Sequence, residues 1–425
     1  MQTYRKRVFD KILQNRLEAK GAVLIEGAKW CGKTTTAEQI ARSVVYMQNP
    51  ATRDQNAQLA RIAPQRLLEG DVPHLIDEWQ VAPQLWDAVR FEVDRRDEFG
   101  QFILTGSSVP ASLDEAQHSG TGRIARMTMR PMTLGESGDS SCAVSMGALF
   151  KGEKLRVERS SGSDIEELAY LVCRGGWPKA VDQQKRDVAL QQAFDYVDAV
   201  CEVDISRVDG VRRDPYLTRA LLRSYAWSVS SETTLGAMRA DLGESGAYLG
   251  ESAFGGYVEA LRKLFVIDDL SAWNPSLRSK TAIRTSPTRH FADPSIATAA
   301  LGAGPEDLIG DLRTFGLVFE DLVVRDLRTY AEALHGTVLH YRDKSGLECD
   351  AVVHLRNGAY GLIEVKLGGA DAIEEGAKNL LKLSQRIDVD TMRAPAFLMV
   401  VTGTGEFSYP REDGVYVVPI RALTV

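Results

Sequence analysis

The sequence lacks most features that mark secreted, membrane-bound or nucleic-acid-coating proteins. Cysteine is scarce: Cys31, Cys142, Cys173, Cys201 and Cys349 are odd in number, far apart, and form no C-x-x-C pair. That excludes a disulfide framework and a cysteine-rich zinc site, and it fits a reducing cytoplasm. No apolar run approaches the roughly 20 residues of a membrane helix, so no membrane partner is expected. The N-terminal stretch MQTYRKRVFDKILQNRLEAK is basic but no apolar segment follows it, so no export signal is expected. A basic excess is missing too. The net charge is -7, so any contact with DNA or RNA must come from a local basic patch. Internal repeats and long low-complexity tracts are absent. What remains is a 425-residue chain, 44% hydrophobic and 26% charged, long enough for two or three globular domains.

The most informative stretch is GAKWCGKTT, Gly27 to Thr35. It fits G-x-x-x-x-G-K-[ST], with an apolar run, Ala22 to Glu26, in front and a helix opening behind. A turn with Gly27 and Gly32 lets backbone N–H groups point at phosphate oxygens, and the helix start at Thr34 and Thr35 adds its positive end. Lys33 would reach the outer phosphates, and the Thr34 hydroxyl would ligate Mg²⁺. ATP and Mg²⁺ are therefore the expected cofactors.

Three further stretches belong to the same expected α/β domain. Residues 3–20 read as an amphipathic helix with Val8, Ile12, Leu13 and Leu17 on one side, packed at the domain's edge. His74-Leu75-Ile76-Asp77-Glu78 reads as a buried strand that ends in two acids. Asp77 would hold Mg²⁺, and Glu78 would orient or deprotonate a water. Gly100 to Ser108 reads as another buried strand, which places Thr105 or Ser107 to sense a terminal phosphate or to cap a turn. Arg123, in Gly120-Thr121-Gly122-Arg123, is a candidate finger that neutralises transition-state charge, in cis or from a neighbouring subunit of a homo-oligomer.

GAKWCGKTT, LIDEWQVAPQLWDAV, GQFILTGSS, TGRIARMTMRPMTLGE and CRGGWPKAV resemble a group of prokaryotic AAA-type ATPases that couple this core to a C-terminal domain of unknown function. The resemblance covers nearly the whole chain. It implies ATP hydrolysis by Lys33, Thr34, Asp77 and Glu78. Trp30 and Cys31 are bulkier and more reactive than the usual residues of that loop, and Trp79 stands where a smaller apolar residue is common. Cys31 beside the phosphates would make the activity sensitive to thiol oxidation.

Residues 137–164, rich in Gly, Ser and charge, read as a linker after a core at 1–136. A helical module over 165–310 follows, with helices at 165–174 and 184–206. Residues 216–270 carry the spacing of a winged helix-turn-helix. Its candidate recognition helix begins with Glu251 and carries Glu259. An acidic first turn repels phosphates, so a packing or subunit-contact role is expected there. Arg278, Lys280, Arg284, Arg289 and His290 form a basic connector, either an electrostatic footprint or a solvated loop.

The last expected domain, 311–425, opens with a helix over 316–331. Phe319, Val323, Val324, Leu327 and Tyr330 fill one arc of it, with Asp321, Arg325 and Arg328 opposite. Glu320 falls inside the apolar arc, where a carboxylate is costly unless paired or metal-bound. Two strands follow, Glu348 to Val353 and Gly361 to Lys366, joined by a turn at Asn357-Gly358. Glu364 and Lys366 share a face. This layout resembles the PD-(D/E)XK nuclease fold over residues 316–420. The resemblance implies that Glu320, Asp350 and Glu364 bind Mg²⁺ while Lys366 positions a water for attack on phosphate, with Arg342 and Lys344 near the backbone phosphates of DNA or RNA. The expected fold is thus a P-loop NTPase core, a helical winged-helix-like middle and a restriction-endonuclease-like α/β end. Two functions follow from it: ATP-driven nucleic-acid processing, or an ATP-dependent switch whose C-terminal domain binds a partner without cutting.

Overall fold

The computed structural model describes residues 4–108, 120–160, 164–275, 286–388 and 392–425. The chain divides into two compact units. One comprises residues 1–131 with 202–214 and 255–266; the other holds the rest.

The first unit is built on a five-stranded sheet in the order β2-β3-β4-β1-β5. The strands are β1 (Ala22–Glu26), β2 (Ser43–Tyr46), β3 (His74–Asp77), β4 (Phe102–Gly106) and β5 (Ile124–Thr128), and all neighbours run parallel. Every residue of β1, β3 and β4 is buried, as continuous apolar runs in a parallel sheet require. Parallel pairing brings the C-terminal ends of β1, β3 and β4 to one edge, the ligand side of such sheets.

Below that edge, Leu24, Ile76, Trp79, Trp86, Val89, Phe102 and Leu104 form the core. Trp79 is 1% exposed and lies 5.2 Å from Trp86, ring centre to ring centre. The bulk at position 79 therefore fills the floor behind the Asp77-Glu78 turn. Truncating such a residue typically costs about 3–5 kcal/mol. The N-terminal helix, Val8–Ala19, buries Phe9, Ile12, Leu13 and Leu17, whereas Val8 is half-buried.

The second unit contains a seven-stranded mixed sheet in the order β7-β12-β13-β11-β10-β9-β8. Its strands are β7 (Glu158–Arg159), β8 (Gly336–Arg342), β9 (Glu348–Leu355), β10 (Tyr360–Lys366), β11 (Phe397–Thr402), β12 (Phe407–Pro410) and β13 (Tyr416–Pro419). β8, β9 and β10 form an antiparallel meander, and β10, β11 and β13 run parallel. The helix Ala370–Arg386 makes the crossover between β10 and β11, and Leu380 and Leu383 pack against Val352, Leu362 and Val400.

One expectation is corrected in this unit. Residues 137–164 are not a free linker. β6 (Val144–Ser145) pairs with β14 (Leu423–Thr424), and β7 pairs with β12 through Arg159 and Phe407. Short polar segments still carry backbone donors and acceptors, and these sheet edges satisfy them. The helical segment and the C-terminal sheet lie within the same compact unit. On the long helix Leu312–Ala333, Asp321, Arg325 and Asp326 are all at most 2% exposed. Arg325 bridges Asp293 at 2.8 Å and Asp326 at 2.7 Å, and His290 Nδ1 lies 2.9 Å from Asp321. Burial is tolerable because each ion meets an opposite or polar partner.

Before these elements, helices Pro215–Trp227, Leu235–Glu244 and Glu251–Lys263 succeed one another. Antiparallel bridges then join Ile267 to Phe291 and Leu270 to Thr288. Arg278, Lys280 and Arg284 of the basic connector lie outside the described residues. Arg289 and His290 are buried, with Arg289 on Asp269 at 2.8 Å, so they supply no surface charge.

Candidate functional site

At the C-terminal end of β1 the chain turns sharply. Gly27 has φ 147°, and a Cβ there would sit 2.1 Å from the Met129 carbonyl oxygen, so only glycine fits. Gly32, in the left-handed region, precedes the helix Lys33–Glu38, which has no side-chain cap at its N-terminus. Its first N–H groups are left for a ligand.

Lys33 is 5% exposed, and its ammonium donates to the carbonyls of Gly27 (2.9 Å) and Ala28 (2.8 Å). Among the described residues it has no acidic partner within ion-pair range. A buried cation satisfied only by neutral carbonyls is a seat for an anion. The loop is braced from below. Arg7, 6% exposed, donates to the carbonyls of Cys31 at 3.0 Å and Arg130 at 2.8 Å. The N-terminal helix thus supports the phosphate loop as well as packing on the domain. Cys31 is fully buried and its thiol points to the Met129 carbonyl, so the expected oxidation sensitivity is not supported: an oxidant has no access.

The acids expected beside this loop are there. Thr34 Oγ1 donates to Asp77 Oδ1 at 2.6 Å, which brings together the hydroxyl and the carboxylate predicted to share a cation. Both are hard oxygen donors suited to Mg²⁺. Glu78 adopts φ 57°, ψ 48°, a left-handed conformation rare for a residue with a side chain. The twist turns its carboxylate toward Ser107, whose hydroxyl donates at 2.9 Å, and toward Gln80.

Thr105 is fully buried. Its hydroxyl donates to Asp77 Oδ1 at 2.7 Å and accepts the Glu78 N–H at 3.2 Å. The Thr105 hydroxyl thus links the Asp77 carboxylate to the Glu78 backbone. Thr35 is exposed beside the loop.

Arg123 is displaced from this chemistry. The Ala22 N–H donates to its carbonyl, so it lies at the foot of β1, roughly 13 Å of strand away from the loop. Its guanidinium holds Asp94 at 2.8 Å. An arginine there cannot serve the phosphates of its own chain. Sequence spacing alone could not reveal this, because a parallel strand following a loop may place that loop at either end of the sheet. Lys29, Gln80, Asp204 and Arg207 were not anticipated, and they line a cavity of about 230 Å³ with Glu78 and Ser107. Gln80 follows Asp77-Glu78 closely enough to have been suspected. Nothing in the sequence around Asp204 and Arg207 marks them.

A second polar cluster lies in the other unit. The antiparallel register of β9 and β10 places Ile363 opposite Ala351, which brings Glu364 beside Asp350 as expected of the hairpin. Lys366 Nζ lies 2.8 Å from Glu364 and 3.9 Å from Asp350, and the Val365 N–H donates to Asp350 at 2.7 Å. Glu364 is 1% exposed, and its Oε1 has no hydrogen-bond partner. Burial, reinforced by the Asp350 charge, pushes its carboxyl up to about 8. Burial likewise raises Asp350, and it raises Glu320 with a further push from Asp350. Among the described residues, no group of three His, Cys, Asp or Glu side chains is close enough to hold a metal ion. Glu320 feels the other two charges but does not complete a ligand set with them.

Residues 19–137 match the AAA domain family. Residues 165–307 and 315–423 match two domains of unknown function, DUF8612 and DUF4143. Uncharacterized proteins of Mycobacterium tuberculosis and Mycobacterium bovis are each 24% identical over 413 residues, covering 96% of this chain and 82% of theirs. Among solved structures, the Walker-type ATPase of Pyrococcus abyssi is similar at 13% identity over 68% of this chain and 94% of that one, with a TM-score of 0.40. No helix among the described residues is long and apolar enough to cross a membrane.

Proposed function

We infer that the AAA-type P-loop ATPase domain at residues 19–137 binds ATP and, with Mg²⁺, hydrolyses its terminal phosphate. One observation carries the reading: the buried Lys33 ammonium, satisfied only by loop carbonyls, stands beside a hydroxyl–carboxylate pair, Thr34 and Asp77. In this reading the backbone from Gly27 to Thr35 wraps the phosphates, and Lys33 leaves the carbonyls of Gly27 and Ala28 to hold the outer ones. Thr34 and Asp77 would hold Mg²⁺, which neutralises phosphate charge when bound. Glu78 orients the attacking water and accepts its proton, while Ser107 and Gln80 keep its carboxylate aimed. Thr105 fixes Asp77 and the Glu78 backbone relative to each other.

The test is nucleotide titration and phosphate release with two variants. Lys33→Ala abolishes ATP binding. Glu78→Gln binds ATP but does not turn it over. Normal turnover by either refutes the assignment.

A second reading concerns the C-terminal domain, and the partnerless Glu364 Oε1 beside Asp350 and Lys366 favours it. Asp350 and Glu364 would hold Mg²⁺, with Lys366 placing a water against a phosphodiester, and ATP hydrolysis would drive nucleic-acid processing. The competing role is a scaffold that binds a partner under ATP control, and it is supported by the lack, among the described residues, of a third ligand at metal-holding distance. Cleavage of plasmid or single-stranded DNA or RNA with Mg²⁺ or Mn²⁺, lost in an Asp350→Ala/Lys366→Ala variant, establishes the nuclease. No cleavage by the wild type establishes the scaffold. The five free cysteines, four of them buried, accord with work in the cytoplasm.

A further inference from the structure

The segment at residues 165–307, matched to a domain of unknown function, holds a cavity of about 680 Å³. It opens between the helices Arg186–Ala199, Pro215–Trp227 and Leu235–Glu244 and the C-terminal end of Pro294–Leu301. Protein interiors pack at crystal density and leave few voids larger than a water. An opening of this size among packed helices falls in the range of small-molecule sites, roughly 300–1,000 Å³. The helix Pro215–Trp227 explains why the space is lined as it is. Leu221, Leu222, Tyr225 and Ala226 are buried on one side of it. Tyr216, Arg219, Arg223 and Trp227 recur every three or four residues and form a stripe on the cavity side. Tyr216 is 63% exposed and Trp227 77%, and the half-buried Phe194 adds a third ring to the lining. Exposed aromatics gathered at one cavity mark a surface that meets a ligand.

The charges narrow the choice of ligand. Arg219 is held by Asp198 at 2.7 Å. Arg223 is exposed at the wall and, among the described residues, makes no ion pair or hydrogen bond. Asp241, on the neighbouring helix, is the carboxylate of the lining. Arg219 and Arg223 against Asp198 and Asp241 leave no net formal charge, so a polyanion such as single-stranded nucleic acid gains little from this surface. A single negative charge on an apolar body fits better. We propose that this cavity binds a small planar aromatic carboxylate, with its ring system against Tyr216, Trp227 and Phe194 and its carboxylate on Arg223. Ring faces and edges attract a flat partner beyond the area they bury. The planar guanidinium matches a carboxylate with two parallel N–H donors. Asp241 disfavours a second negative charge on the ligand.

The test is calorimetric titration of the full-length protein with 2-naphthoate, with the neutral 2-naphthamide, and with octanoate, which keeps the charge but has no ring. Wild type is compared with Arg223→Gln, Arg223→Lys and Trp227→Ala. Both positions are exposed, so the variants keep the wild-type melting temperature. Wild type binds 2-naphthoate more tightly than either of the other compounds. Losing one charge-assisted contact weakens 2-naphthoate about tenfold in Arg223→Gln and leaves 2-naphthamide unchanged. Arg223→Lys recovers part of the loss. Trp227→Ala weakens 2-naphthoate and 2-naphthamide alike. No saturable binding of 2-naphthoate by wild type, or equal affinity in Arg223→Gln, overturns the proposal. Octanoate binding as tightly as 2-naphthoate overturns the aromatic class. A dT oligonucleotide that displaces 2-naphthoate at physiological salt also overturns it, and would make the stripe a stacking platform for single strands.

Discussion

Thr105→Val is the substitution that most directly tests how the nucleotide site is assembled. Valine matches threonine in shape, so the core around position 105, fully buried, keeps its packing. What disappears is the hydroxyl. Asp77 loses a donor at 2.7 Å, and the Glu78 N–H loses its acceptor at 3.2 Å. A hydrogen bond to an ionised group contributes about 1.5–3 kcal/mol, and a buried amide left unpaired costs about 1–3 kcal/mol more. Part of this falls on folding. The rest falls on catalysis, because Glu78 is held in a left-handed conformation that needs its surroundings to persist. If about 2 kcal/mol is expressed in the transition state, turnover falls about 30-fold. ATP affinity stays close to wild type, since the Thr105 hydroxyl is taken up by Asp77 and the Glu78 N–H. Thr105→Ser retains the hydroxyl, loses one methyl, and keeps most of the activity. The assay is steady-state phosphate release alongside nucleotide titration. Turnover within twofold of wild type refutes the positioning argument. Weakened ATP binding with unchanged turnover also refutes it, and would make Thr105 the phosphate sensor that its place in the sequence suggests.

Two further outcomes bear on the other unit. The Glu364 carboxyl is held up near 8 by burial and Asp350, so folding favours its protonated form, and that stabilisation is lost as pH rises from the ordinary glutamate range through 8. Glu364→Gln fixes the neutral form. Its melting temperature should gain on wild type between pH 5 and pH 9, and parallel melting curves for the two proteins across that window contradict the shift. Arg325→Met leaves Asp293 and Asp326 as uncompensated buried charges and should cost about 3–5 kcal/mol, read by denaturant titration or as loss of soluble protein. A loss under 1 kcal/mol would mean those acids find water or other partners.

Much of the first unit was legible in the sequence because its chemistry is local. Gly27, Gly32, Lys33 and Thr34 sit within one turn, and a phosphate loop needs no distant residue to be recognised. The strands Ala22–Glu26, His74–Asp77 and Phe102–Gly106 declare themselves because a parallel strand buried on both faces must be apolar throughout. The hairpin that pairs Asp350 with Glu364 was legible for a similar reason: a short turn fixes the register. What the sequence could not decide is which end of a strand, or which side of a helix, a residue serves. Arg123 follows glycines like an active-site residue, yet lies at the foot of the sheet on Asp94. Asp321, Arg325 and Arg328 have the periodicity of a solvated face, but another layer of this unit covers them and pairs their charges. Segment 137–164 has linker composition, yet its backbone completes the edges of sheets closed nearly 300 residues later. Asp204 and Arg207 reach the cavity beside Glu78 only because the chain returns to this unit after leaving for the other. Local pattern fixes which bonds a short segment can make with itself; long-range pairing alone decides which charges meet.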